Sequence, residues 1–167
     1  MATRTHLYRT QLTWTGADAA VPFRNHRRDY RVTAEGKPAI DGSSDPVFRG
    51  DVSRWNPEYL LVASLSACHQ LWYLGLCAAA GIEVLAYEDA AEGTMIEEKV
   101  NGAGQFTTVT LRPHVTVAPG ADQAKALALH EVAHANCFIA RSMNFPVLHE
   151  ATVTVSADRY RPTRPDG

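Results

Sequence analysis

The sequence predicts an α+β fold in which antiparallel sheets pack on one long buried central helix and a second helix. Three observations carry this expectation. Period-two alternation recurs near both ends and in the middle of the chain, a long and almost uniformly apolar run follows Pro57, and a second helical stretch follows Asp122. The 167 residues are 46% hydrophobic and 20% charged, enough for one well-buried core, and no repeat or linker divides them. A single domain over residues 1–160 is expected, with a disordered tail over residues 161–167.

Tyr8, Thr10, Leu12 and Trp14 share one face of a strand from His6 to Trp14. Tyr30, Val32 and Ala34 repeat the pattern before a turn at Gly36-Lys37-Pro38, so an antiparallel meander begins here. From Asp41 to Trp55 the chain is rich in Gly, Ser, Asp and Pro without a period, which predicts a loop. The strongest helix signal comes next. Asn56 is a good N-cap, Pro57 suits the first helical position, Glu58 complements the helix dipole, and Gly81 can stop a helix running from about Pro57 to Ala80.

Between Leu60 and Ala80 only Ser64, Ser66, His69, Gln70 and Tyr73 offer polar groups, so a soluble protein must bury this helix on nearly all sides. With about 24 residues at ~1.5 Å each it is ~36 Å long, more than a domain of this size covers alone. A homodimer would supply the missing cover. Glu58, His69 and Gln70 argue against a membrane span. Val84 to Thr94 is strand-like, and Thr107 to Val117 sets Val109, Leu111, Val115 and Val117 on one face, with Asn101-Gly102 in the turn of a hairpin between them. A second helix is expected from about Asp122 to Ser142, ending before Pro146, and Val147, His149, Ala151, Val153 and Val155 mark a last strand.

The net charge is −2 and the basic residues are scattered, which argues against nucleic acid or an anionic membrane as partner and favours a small neutral ligand. Met1 to Gly16 has no unbroken hydrophobic stretch of the kind a signal peptide needs, so a cytoplasmic location is expected. Three cysteines, an odd number, do not make a structural disulfide framework.

Cys68 lies in the middle of the long helix, where a cysteine ordinarily serves as a small hydrophobe. Cys77 is nine residues on, roughly 180° around and ~13.5 Å along the same helix, too far for a disulfide. Cys137, near the end of the second helix, is the remaining intrachain candidate. Apolar neighbours raise the pKa of a thiol and mid-helix offers little dipole, so a reactive Cys68 needs a cation from another segment; Arg28 and Arg49 are candidates.

Asn56-Pro57-Glu58 with Leu60-Leu61, followed by Ser64-Leu65-Ser66-Ala67-Cys68-His69, resembles the signature of the OsmC/Ohr family of hydroperoxide-reducing proteins. The resemblance extends through Ala90-Ala91-Glu92-Gly93, Leu111-Arg112-Pro113 and Cys137. It implies an OsmC-like intertwined homodimer and a cysteine-based peroxidase without a cofactor or metal. In that reading Cys68 is the peroxidatic thiol, Cys137 the resolving thiol, and Glu58 the carboxylate that holds an arginine against the thiolate. Arg28 with Asp29 resembles the family's early Arg-Asp, with Arg27 and Arg49 as alternatives. The proline that many members carry after the resolving cysteine is missing from Asn136-Cys137-Phe138. The implied substrate is a small organic hydroperoxide and the implied reductant an external dithiol. Glu58 and Cys68, ten residues apart, are separated by ~15 Å along one helix and roughly 80° around it, which calls for active sites shared between two chains.

A different chemistry is carried by His130-Glu131-Val132-Ala133-His134, which matches the H-E-x-x-H pattern of zinc hydrolases, with His149 and Glu150 available as third ligands. This motif accounts for neither Cys68 nor the long apolar helix. A non-catalytic protein binding a small ligand in the same apolar surroundings is the third reading.

Overall fold

The computed structural model describes residues 4–14, 16, 22, 25–98, 100 and 102–157. Asn101 of the expected hairpin turn and the expected tail over 161–167 lie outside them. Two compact units divide the chain, Met1–Leu61 and Val62–Gly167.

In the first unit three short strands, β1 (Gln11–Thr13), β2 (Tyr30–Thr33) and β3 (Ile40–Gly42), form an antiparallel sheet in the order β1-β2-β3. Arg31 and Asp41 face each other across β2 and β3 and are bonded twice, at 2.7 and 2.8 Å. The expected meander is present with shorter strands, and β3 takes the first residues of the segment read as a loop. Gly42 is required there, because a Cβ would come within 2.3 Å of the Tyr30 ring. Beyond it the chain is irregular, as expected, apart from a 3-10 turn at Pro46–Phe48 that Asp45 caps by accepting the Val47 N–H at 2.9 Å.

Helix α1 (Pro57–Ala79) forms where its caps predict it. The Asn56 side chain accepts the Tyr59 N–H at 2.8 Å and donates to Asp45 at 3.1 Å. At the other end Gly81 has φ 71°, Ile82 N–H reaches Cys77 O at 2.9 Å and Gly81 N–H reaches Ala78 O at 3.1 Å, a left-handed termination that glycine adopts without strain.

The second unit is built on three extended segments, each broken at one level. The expected hairpin arms become β4 (Val84–Asp89) with β5 (Glu92–Glu97), and β6 (Gly104–Leu111) with β7 (Pro113–Val117); the last strand becomes β8 (Val147–His149) and β9 (Thr152–Val155). One sheet has the order β4-β7-β9 and another β5-β6-β8. The hairpin pairs are antiparallel, but β8 joins β6 and β9 joins β7 in parallel, so these sheets are mixed rather than antiparallel. Pro113 lacks an N–H, which helps end β6. Side chains supply the missing bonds at the breaks: Asp89 accepts the Arg112 N–H at 2.7 Å and the Ser66 hydroxyl, while the Arg112 guanidinium reaches Glu92 at 3.2 Å and Glu150 at 3.0 Å.

Helix α2 (Gln123–Asn136) starts at Asp122, which accepts the Lys125 N–H at 2.9 Å. It ends earlier than expected. Cys137 is already extended at φ −64°, ψ 112°, and a 3-10 turn, Ala140–Ser142, follows. The core of this unit joins Tyr73 and Cys77 of α1, Ala126 and Ala133 of α2, and Val115, Val117 and Val153 of the first-named sheet. Within the single chain α1 is buried along one stripe only, Leu65, His69, Tyr73 and Cys77, rather than on nearly all sides.

Candidate active site

Cys68 lies beside the buried stripe of α1, half-buried, at the floor of an open apolar groove of about 770 Å³. Ala67, Leu71 and Trp72 line the groove from α1, Phe138 and Ile139 from the segment after α2. Trp72 and Phe138 meet edge to face at 5.5 Å between centroids, yet Leu71 and Phe138 remain 69% and 66% exposed. An apolar surface left this open in one chain is ready for a ligand or a second polypeptide.

Cys137 is fully buried and adjoins Cys68, so the structure brings together the two thiols that the sequence singles out. Its position is set by the helix end: the Cys137 N–H donates to His134 O at 3.2 Å, and its sulfur accepts the Ala140 N–H at 3.5 Å. Burial, reinforced by the neighbouring Cys68, pushes the Cys137 thiol up to about 11. At neutral pH it is a thiol rather than a thiolate. Cys77 faces the core with its thiol also pushed up by burial, consistent with a packing role. All three cysteines are unbridged.

The charged residues expected at the site belong to the first unit. Arg27 is committed to Asp29, its Nε at 3.0 Å from the carboxylate. Arg28 is half-buried, and Arg49 is exposed in the left-handed region at φ 66°. Glu58, in the first turn of α1, buries its Oε2 without a hydrogen-bond partner among the described residues. Tyr30 titrates higher than usual, first through burial and then through the Glu58 charge. A buried carboxyl oxygen left without a donor costs about 1–3 kcal/mol, so the Glu58 Oε2 has room for one more hydrogen-bond donor.

Next to the thiols lies a group of imidazoles that the sequence disclosed only in part. His69 follows Cys68 on α1, His130 and His134 lie one turn apart on α2, and His149 ends β8. His69 Nε2 and His130 Nδ1 are 3.0 Å apart, Tyr73 stacks on His130 at 3.8 Å between centroids, and the His134 and His149 rings are 5.3 Å apart. Burial above all, then the neighbouring histidines, lowers His69 to about 4 and His130 to about 3; burial also lowers His134. The pair is neutral near pH 7. The zinc-hydrolase pattern does not assemble: among the described residues no three potential ligands are placed to hold a metal ion. Glu131, which would have to activate water beside it, is 78% exposed and lies 3.4 Å from His149, while Glu150 binds Arg112. A signal for the larger group was present in His69, the polar neighbour of Cys68 in an apolar helix.

A family profile described as OsmC-like protein matches residues 50–155. No curated protein matches the chain by sequence. Among solved structures, an OsmC-like protein of unknown function from Vibrio cholerae O1 biovar eltor str. N16961 is 28% identical, with a TM-score of 0.78 over 88% of this chain and 99% of that one. Two structures share the fold at lower identity. An organic hydroperoxide resistance protein OsmC from Legionella pneumophila is 22% identical, with a TM-score of 0.63 over 90% of this chain and all of that one. The organic hydroperoxide resistance protein OhrB of Bacillus subtilis is 20% identical, with a TM-score of 0.59 over 89% of this chain and all of that one. With the family profile matching more than half of its residues, including both neighbouring thiols, the protein belongs to the OsmC-like family.

Proposed function

We propose that the protein is a thiol peroxidase that reduces small organic hydroperoxides in the cytoplasm. The observation that carries this reading is the half-exposed Cys68 in an apolar groove with the buried Cys137 beside it. The Cys68 thiolate attacks one peroxide oxygen, the O–O bond breaks, and the alkoxide leaves and takes up a proton as the alcohol. Cys68 becomes a sulfenic acid. The Cys137 thiol then displaces its hydroxyl, forming the Cys68–Cys137 disulfide and releasing water. An external dithiol restores both thiols by exchange and is itself oxidised to a disulfide. The order follows from burial, since Cys137 is the thiol that peroxide from solvent cannot reach first.

A homodimer completes the proposed site. In it, Glu58 of one chain holds Arg28 against Cys68 of the other, and the arginine stabilises the thiolate and the departing alkoxide. The unpartnered Glu58 oxygen and the apolar groove left open beside Cys68 support this assembly. Fold relatives described as organic hydroperoxide resistance proteins support the substrate class. Thiol titration before and after one equivalent of an organic hydroperoxide tests the reading. Loss of two thiols with formation of the alcohol is expected; unchanged thiols would leave a non-catalytic ligand-binding protein. Arg28→Met is expected to slow alkylation of Cys68 at pH 7 by about tenfold. A normal rate in Arg28→Met and a slow one in Arg49→Met would move the role to Arg49.

A further inference from the structure

We infer that His69 and His130 are positioning residues that hold Cys68 against Cys137 for disulfide closure. The inference rests on the thiol chemistry proposed above and adds two residues to it. Each member of the couple belongs to the same segment as one of the thiols. His69 is next to Cys68 on α1, and His130 is two turns before Cys137, whose N–H is held by the carbonyl of His134. The bond between the rings therefore fixes one thiol-bearing segment against the other.

Its geometry is directional. The ring planes of His69 and His130 differ by only 7°, yet their centroids are 5.3 Å apart while the facing nitrogens are at 3.0 Å. Rings arranged in this way lie edge to edge in one plane, unlike Tyr73, which lies face to face on His130 at 3.8 Å. An N–H···N bond needs one donor and one acceptor, and either assignment of the proton leaves one N–H and one lone pair at the far ends of the couple. Those ends, His69 Nδ1 and His130 Nε2, are both buried and without a hydrogen-bond partner among the described residues. Two apolar residues would fill the same fully buried space without stranding polar atoms, so packing alone does not account for the pair. A bond that fixes angle as well as distance does, because closure requires one sulfur to approach the other along a narrow path.

The test measures closure without peroxide. Full-length protein is equilibrated with mixtures of reduced and oxidised glutathione, in which forming the Cys68–Cys137 disulfide consumes one oxidised glutathione and releases two reduced ones. The disulfide fraction then gives the effective concentration of one thiol at the other. His69→Leu and His130→Leu are each expected to lower it about tenfold. His69→Gln and His130→Asn, whose amides can put a donor or acceptor where the ring nitrogen was, are expected to stay within about twofold of wild type. If a single leucine variant does not fold, the double variant His69→Leu with His130→Leu, which strands no polar atom, takes its place. Wild-type closure in a folded leucine variant would overturn the inference, as would amide variants as poor as the leucine ones, since ring volume would then be the cause. A parallel pulse of tert-butyl hydroperoxide separates the two proposals. Wild-type protein that closes its disulfide in glutathione but does not react with the hydroperoxide would remove the peroxidase reading, while a glutathione result graded as above would still support the positioning role.

Discussion

The two sides of α1 reverse the usual arrangement of a soluble helix. Its buried stripe, Leu65, His69, Tyr73 and Cys77, carries an imidazole, a phenol and a thiol, whereas the side toward the groove is apolar and holds a leucine that is 69% exposed. Ordinarily the polar groups face water and the apolar ones the core. The two sides meet different neighbours. On the inner side His69 makes a directional contact with His130 of α2 and Tyr73 stacks on the same ring, and the apolar groups on the outer side form a surface that one chain leaves uncovered. Cys68 sits where the two sides meet, within reach of the groove and of Cys137.

Removing a thiol at that meeting point should cost the most activity. Cys68→Ser should abolish hydroperoxide reduction, while Cys137→Ser should permit one turnover that stops at a sulfenic or over-oxidised Cys68. Cys77→Ser, on the inner side but away from the groove, should keep the activity. Mass spectrometry after one peroxide pulse reads all three, and an undiminished turnover in Cys68→Ser would end the proposed mechanism.

The outer side is sharpened by complementation. Cys68→Ser and Glu58→Ala should each be inactive as separate homodimers, yet after subunit exchange one site of each mixed dimer regains both groups. Up to a quarter of wild-type activity should return at an equal mixture, because about half the dimers are mixed and half of their sites are intact. A monomer by sedimentation with full activity, or no recovery in verified mixed dimers, would show that the open apolar side serves something else.

Much of this was legible in the sequence, for reasons that are local. Asn56, Pro57 and Gly81 fix the ends of α1 through caps that depend on a few adjacent residues, and Asp122 does the same for the start of α2. The breaks in the extended segments were not legible. Alternation continues across Arg112 and Glu150, while the change of sheet depends on Asp89, Glu92 and Glu150 meeting Arg112 from the two other extended segments. The same limit hid the histidine couple. The spacing of His130 and His134 announces a shared helix face, but that His130 spends its Nδ1 on His69 is a fact of tertiary packing, 61 residues away in the chain. The H-E-x-x-H pattern therefore marks His130 and His134 as neighbours on α2, but among the described residues no third potential ligand is placed with them to hold a metal ion.

A smaller effect, on stability, tests the inner side by acid. His69 and His130 are lowered to about 4 and about 3 in the folded protein, mainly by burial, against an ordinary value of ~6.5 in the unfolded chain. Between those limits the unfolded chain binds protons that the folded one refuses, so stability is full above pH ~6.5 and falls as pH drops toward 4. Near pH 5 nearly two protons are taken up on unfolding, which corresponds to a slope of about 2.5 kcal/mol per pH unit from this couple. Asp41 and Asp51, which titrate below the ordinary carboxylate range, lose their contribution only at lower pH, so the windows separate. Urea unfolding of the reduced protein at fixed concentration, between pH 7.5 and 5, measures the slope. The double variant His69→Leu with His130→Leu should flatten it, leaving the weaker dependence due to His134 and the other titrating groups. Equal slopes in the two proteins would mean that the couple takes up protons in the fold as readily as outside it, and that the inner side of α1 is wetter than its buried, neutral imidazoles indicate.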